Sequence, residues 1–294
     1  MYLSAGRMFR PVSTLPSTRT NVEGYMRGFL AGINSTNLRK AIRDPRRAVL
    51  RLVLRSRLAR TTVEAQRHRL IAFLSQRYDV DARELLAEYR ASSFHEWFRR
   101  RRAALDRFPG PYRLGTTGQF GLEALYLLVR AARPKTVVET GVLYGASSAH
   151  ILAALSRNGG GALHSVELGR DRREPSHDHF VPPDLQPLWR LVIGDSRREL
   201  PALLDRCGPV DLFYHDSLHT FKHMTWEFGA ALPSLSRAGI LASDDVLNPP
   251  SLAGIFRDGP FPTFCRQRRI FHATFHNLGL ALPAEPVTGV ERAA

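Results

Sequence analysis

From Thr136 onward, short apolar runs alternate with stretches whose apolar positions recur every three or four residues. The runs at Thr136–Glu139, Ala162–Val166, Trp189–Ile193, Val210–His215 and Ile240–Ser243 are short and apolar, as buried strands require. Helical spacing covers about Gly118–Ala132 before the first strand and Ser147–Ser156 after it, and helices follow Ser196 and His219. The tail, Arg269–Leu282, predicts two more short strands around Asn277–Gly279. This alternation predicts an α/β, Rossmann-like domain, a mostly parallel sheet with helices on both faces.

The front of the chain reads as helices instead. Asp44 then Pro45 suits an N-cap and a first helical position, opening a helix to about Arg60. The pairs Thr61/Glu64, Asp81/Glu84 and Ser93/Glu96 have capping-box spacing. Phe94, Trp97, Phe98 and Leu105 recur on one face of the last helix while Arg99–Arg102 circle it. That face predicts docking onto the following domain; a stacking platform for single-stranded nucleic acid is the alternative. Arg47, Arg51 and Arg55 beside Leu50, Val53 and Leu54 suit an ordinary amphipathic helix, with peripheral membrane contact as the second reading. A Pro-Gly-Pro turn at Pro109–Pro111 divides the chain into a basic tail (1–43), an Arg-rich helical region (44–110) and the α/β domain (111–294).

Charge sharpens this division. Of a formal net +15, nearly all lies in residues 1–110, with 23 Lys+Arg against 9 Asp+Glu; the remainder is nearly balanced at 19 against 18. A basic front attracts phosphate in nucleic acid, anionic lipid or an acidic substrate. Residues 1–43, with Glu23 as their one acid, match either a transit peptide or a bacterial or archaeal tail; the second is the preferred reading. Two cysteines, Cys207 and Cys265, make no disulfide framework and no metal motif, so a reducing, cytoplasmic setting is expected. Charges interrupt every apolar run before membrane-spanning length.

Candidate chemistry gathers at the predicted strand ends. TVVETGVLYGASSAHIL places an acid and two glycines, Gly141 and Gly145, between strand and helix, where backbone can approach a nucleotide-like ligand. Its spacing is not the dinucleotide pattern. Glu167, 26 residues after Gly141, ends the second strand, where a carboxylate can accept ribose hydroxyls. Gly194, Asp195 and Ser196 end the third; Asp195 either caps the next helix or faces an adenine amino group.

The blocks VVETGVLYGASS, LHSVEL, VPPDLQPLWRLVIGDSRRELP, DLFYHDSLHTF and GILASDDV, within residues 112–250, resemble class I S-adenosylmethionine-dependent methyltransferases of the macrolide and sugar O-methyltransferase group. The resemblance implies S-adenosylmethionine bound by Glu139, Gly141, Tyr144, Gly145, Ser147 and Asp216, with Glu167 on ribose and Asp195 and Ser196 near adenine. It also implies seven strands, the last antiparallel.

Asp216, Asp244 and Asp245 end the fourth and fifth strands, and converging carboxylates predict a hard cation such as Mg²⁺. His219, three residues after Asp216, is the candidate general base. His215 and His223 lie four residues either side of it, a spacing that suggests a zinc cluster, but the change from strand to helix predicts that they point apart. Asn248–Pro250 reads as a loop turn. The leading expectation is methyl transfer to a hydroxyl of a small molecule or sugar. An RNA or DNA methyltransferase gripping through the basic front is the runner-up, and a non-catalytic cofactor-binding or membrane module the third. Residues 169–188 and 247–265 are expected to form the acceptor mouth, and a homo-oligomer stays open.

Overall fold

The computed structural model of the protein describes residues 63–104, 117–169, 176–246 and 259–284. The predicted helix at 44–60, the turn at 109–111, Thr61 and Asn248–Pro250 lie outside these residues.

Three helices come first: α1 (63–78), α2 (Ala82–Ala91) and α3 (Ser93–Ala104). Asp81 caps α2 as its spacing predicts, accepting from the amides of Arg83 and Glu84. The cap of α3 falls one residue earlier than expected. Ser92 Oγ accepts from the His95 amide at 3.1 Å, so Ser93 is already helical.

The α/β part runs α4 (Gln119–Ala132), β1 (Thr136–Thr140), α5 (Ala146–Arg157), β2 (Ala162–Glu167), β3 (Trp189–Ile193), α6 (Ser196–Cys207), β4 (Val210–His215), α7 (Phe221–Ala231), β5 (Leu235–Ser243), α8 (Pro260–Gln267), β6 (Phe271–Phe275) and β7 (Leu278–Leu282). The seven strands lie in the order β3-β2-β1-β4-β5-β7-β6. β7 is antiparallel to both neighbours and the other described pairings are parallel.

Alternate strand residues enter two apolar cores. Leu212 and Tyr214 of β4 join the core formed with α4, α5 and the front helices; Phe213 joins the one formed with α6, α7 and α8. Strands buried on both faces need the unbroken apolar runs seen in the sequence.

The front helices share the first of these cores. Leu70, Leu74, Leu86, Tyr89 and Phe98 are buried with residues of α4 and α5, and Phe94 and Trp97 pack against them. The aromatic face of α3 is therefore docked on this core, Phe98 fully and Phe94 and Trp97 in part. Arg67 and Arg90 also turn inward, donating to the buried Glu123 at 3.0 and 3.3 Å. Glu88 receives Arg130 at 2.9 Å and Tyr126 at 2.7 Å; these bonds and Arg157 outweigh the cost of burial and hold its pKa at about 2. Part of the basic front thus neutralises acids of its own chain.

Among the described residues no helix is long and apolar enough to cross a membrane. The segment read as acceptor mouth contains α8, whose Phe261 and Phe264 are fully buried. The sequence reading missed this helix because its prolines, Pro260 and Pro262, suggest a loop. Both sit in the first turn, where no helical amide bond is lost.

Candidate active site

Parallel pairing brings the strand ends to one rim. Thr140 is in register with Val166 on one side and with His215 on the other, and His215 with Ser243. The ladder continues one residue further: the Gly141 amide donates to Val166 O at 2.9 Å, that of Asp216 to Thr140 O at 2.8 Å, and that of Asp244 to His215 O at 2.9 Å. Glu167, Gly141, Asp216 and Asp244 therefore stand in one row, with Ile193 beside Glu167.

Gly141 is required there. Its φ is +84°, and a Cβ would lie 2.1 Å from the Asp216 carbonyl oxygen. The turn after it leads into α5, so helix amides face the row. Gly141, Leu143, Tyr144 and Ser147 line a cleft together with Asp216 and Thr117. Thr117, which the sequence reading missed, donates its Oγ1 proton to Asp216 Oδ2 at 2.9 Å across 99 residues of chain. Nothing in its local pattern marks it.

The remaining cofactor candidates divide by depth. Glu167 Oε2 accepts from the Val142 and Leu143 amides at 2.6 and 2.7 Å, tying the glycine turn to β2. Its oxygens keep further acceptor capacity toward a diol. Glu139 lies behind the cleft, wholly buried, with Ser147, Ser148 and Ser165 donating to it at 2.6, 2.6 and 2.8 Å. Burial pushes its pKa up to about 7 against the pull of those hydroxyls. Glu139 thus positions the turn from below. Gly145 packs against the chain at His177, where a Cβ would meet the carbonyl oxygen at 2.4 Å.

Of the two roles open to Asp195, capping is realised: it accepts from the Arg197 amide at 2.8 Å. Ser196 Oγ lies 3.2 Å from His223 Nε2. Leu168 and Ile193, 73% and 54% exposed, flank Glu167 as an apolar platform at the rim. The residues fit an adenosyl cofactor: amides at a helix start for its carboxylate, Glu167 for its ribose, and these two side chains for its base.

His219 sits among the acids. Its Nδ1 is 3.1 Å from Asp245 Oδ2, and its Nε2 is 3.5 Å from Asp216 Oδ1 with no closer hydrogen-bond partner. Burial opposes its charge, but Asp216, Asp245 and Asp244 outweigh that, and its pKa lies above the ordinary 6.5. Asp216 is raised by burial despite His219 and Thr117; Asp244 is raised well up by burial and the charges of Asp216 and Asp245. Asn277, also missed, donates to Asp244 at 3.4 Å and to Asp245.

Asp216, Asp244 and Asp245 have the hard oxygen donors that Mg²⁺ prefers. As placed, however, the described residues contain no group of three or more His, Cys, Asp or Glu arranged to hold a metal ion. The imidazole of His219 stands between Asp216 and Asp245, so the cluster is an ion-pair arrangement.

The expectation that His215 and His223 point apart is overturned. Both reach Glu227 on α7, which is fully buried: His215 Nδ1 at 2.6 Å from Oε2 and His223 Nε2 at 2.7 Å from Oε1. Thr140 and Ser217 donate to the same carboxylate at 2.5 and 3.0 Å. Burial raises the Glu227 pKa, but these bonds overcome it and hold it far below the usual carboxylate range. Glu227 thus pins both residues that flank the cleft, Thr140 before Gly141 and Ser217 after Asp216. The i,i+4 pair His223/Glu227 was the sequence signal for it.

Residues 138–246 match the family described as methyltransferase domain. A Dictyostelium discoideum protein named "Probable caffeoyl-CoA O-methyltransferase 3" is 28% identical over 123 residues, covering 41% of this chain and 47% of that protein. The match thus spans about half the length of this curated relative. The O-methyltransferase TomG of Streptomyces achromogenes, solved with S-adenosylmethionine, has a TM-score of 0.48 at 18% identity, covering 65% of this chain and 90% of that one. An O-methyltransferase of Bacillus cereus, solved with S-adenosylhomocysteine, has a TM-score of 0.46 at 14% identity, covering 64% and 90%. The match to the methyltransferase-domain family is thus confined to residues 138–246, the stretch that carries β1 to β5 and the cleft between their ends.

Proposed function

We propose that the protein transfers a methyl group from S-adenosylmethionine to a hydroxyl of a small molecule, a sugar or a catechol-like ring, with His219 as general base. The observation that carries this reading is the position of His219. It stands at the same rim as Gly141 and Glu167, with Nδ1 against Asp245 and Nε2 otherwise unbonded. The name of the Dictyostelium relative, with its caffeoyl acceptor, supports oxygen as the atom methylated.

S-adenosylmethionine, when bound, supplies an electrophilic methyl on a sulfonium that accepts the bonding pair. Asp245 accepts the Nδ1 proton of neutral His219, which leaves the lone pair on Nε2. That nitrogen takes the acceptor's hydroxyl proton as the oxygen–methyl bond forms and the methyl–sulfur bond breaks. The resulting imidazolium lies between Asp216 and Asp245, which stabilise it. Thr117 holds Asp216 in place, and Glu227 holds the two backbone segments that flank the cleft. Positioning and deprotonation thus carry the catalysis, each by groups the fold fixes.

The test is a transfer assay with methyl-labelled S-adenosylmethionine over a panel of catechols, sugars and macrolides, together with S-adenosylhomocysteine titration. Label in an ether-linked methyl is expected. Cofactor binding without transfer to any hydroxyl would favour the non-catalytic alternative, and transfer to nucleic acid would favour the runner-up. No step is routed through a metal, because Asp216 and Asp245 as placed face His219 instead.

A further inference from the structure

Away from the strand-end cleft, the helices over one sheet face carry a groove of about 380 Å³ between α7 and α8. Phe264, fully buried, forms its floor and Trp226 a wall; Arg197, Lys222 and Arg268 border it, and Phe221 stands 47% exposed at one end. No acid lines it. The Arg197 guanidinium lies 4.8 Å above the Trp226 ring, and that of Arg268 lies 3.9 Å above Phe264. Among the described residues none of the three cations has a carboxylate partner.

A guanidinium stacked on a ring face keeps its in-plane N–H groups at the edge. The rings thus orient two forks without consuming their donors. Two oriented forks and an ammonium suit phosphate oxygens, which accept bidentate bonds. The exposed Phe221 ring adds a surface on which a planar base can stack. A volume in the range of small-ligand pockets exceeds what a lone phosphate needs.

We propose that this groove binds a nucleoside diphosphate of the ADP class, its phosphates on Arg197, Lys222 and Arg268 and its base on Phe221. Two sources share this chemistry, a free nucleotide and a nucleotide handle on the methyl acceptor. Phe221 and Lys222 follow His219 by two and three residues, and Arg197 follows Ser196, so the groove's lining is close in sequence to residues of the strand-end site. The handle form rests on the proposed methyl transfer; binding itself does not.

The full chain, presaturated with S-adenosylhomocysteine so that the cofactor cleft is closed to ADP, is titrated with ADP, pyrophosphate and adenosine by calorimetry and Trp fluorescence. ADP is expected to bind more tightly than either fragment. Arg197→Ala with Arg268→Ala should weaken ADP about tenfold or more, and Arg197→Lys with Arg268→Lys should recover part of the loss. Phe221→Ala should abolish the advantage of ADP over pyrophosphate.

Thermal melting shows whether each variant is folded, and the Lys pair serves if the Ala pair is not. ADP affinity unchanged in both pairs, no ADP binding at millimolar concentration, or tighter binding of a single-stranded oligonucleotide than of ADP would overturn the proposal. If the wild type ignores S-adenosylhomocysteine but binds ADP through these residues, the cofactor reading fails and the groove stands. Competition between ADP and a methyl acceptor in the transfer assay marks the handle form; its absence marks the free nucleotide.

Discussion

The Nδ1 of His219 lies 3.1 Å from Oδ2 of Asp245, two residues from separate strand ends of the same sheet. This contact selects the tautomer whose Nε2 carries the lone pair, and it helps raise the histidine pKa above 6.5. In the proposed role of base His219 must be unprotonated, so kcat is expected to rise with pH through a value above 6.5 and then level off. Asp245→Asn should move that limb to lower pH, because it removes a negative charge. His219→Ala should lower kcat by roughly 10²–10⁴ while leaving S-adenosylhomocysteine affinity within a few-fold. A flat pH profile, or equal losses in rate and binding, would assign His219 a packing role. For stability the sign is opposite: the ion pair's contribution is complete below pH 6.5 and is lost as pH rises through the raised pKa.

Gly141→Ala tests the close approach of β1 and β4. The new Cβ would meet the Asp216 carbonyl at 2.1 Å on top of an unfavourable φ of +84°. Gly159, with φ +85° and open space around it, isolates the conformational part. Gly159→Ala should cost roughly 1–2 kcal/mol, and Gly141→Ala distinctly more, with loss of cofactor binding. Similar melting temperatures for the two would mean that the rim yields easily.

Glu139 makes stability pH-dependent. Its folded pKa, about 7, lies above the ordinary 4.5, so its contribution is present below pH 4.5 and declines as pH rises through 7. The decline is on the order of 3 kcal/mol. Denaturation of wild type and Glu139→Gln between pH 5 and 8.5 should show the difference in their stabilities shifting toward the variant. A constant difference would mean that the three serines already hold Glu139 as an anion.

Were a dication to bind Asp216, Asp244 and Asp245, protonated His219 would compete with it for Asp216 and Asp245. Calorimetric Mg²⁺ titration should show weak binding at pH 6 and tighter binding above the His219 pKa, with a smaller pH effect in His219→Ala. Asp216→Asn should weaken it at every pH. No Mg²⁺ binding at any pH would remove the metal reading of these acids.

Fold was legible where the local signal was strong. Apolar runs located five strands, the tail reading placed two more within Arg269–Leu282 where β6 and β7 lie, and Gly118 and Asp195 marked the starts of α4 and α6. Errors came where a residue's role depended on a distant partner. Glu139 is adjacent in sequence to the glycine turn, yet the serine of β2 and two on α5 turn it into an internal brace. His215 and His223 diverge along the chain, yet both meet Glu227.

The sequence by itself determined the alternation of strands and helices and the succession of Gly141, Glu167, Asp216 and Asp244, because strand period and turn chemistry are local. Tertiary structure decided which of those side chains face the cleft and which lie beneath it. It also placed His219 between two carboxylates and brought Thr117 to Asp216. Such contacts depend on β4 lying between β1 and β5, an arrangement set by packing apolar faces on both sides of one sheet.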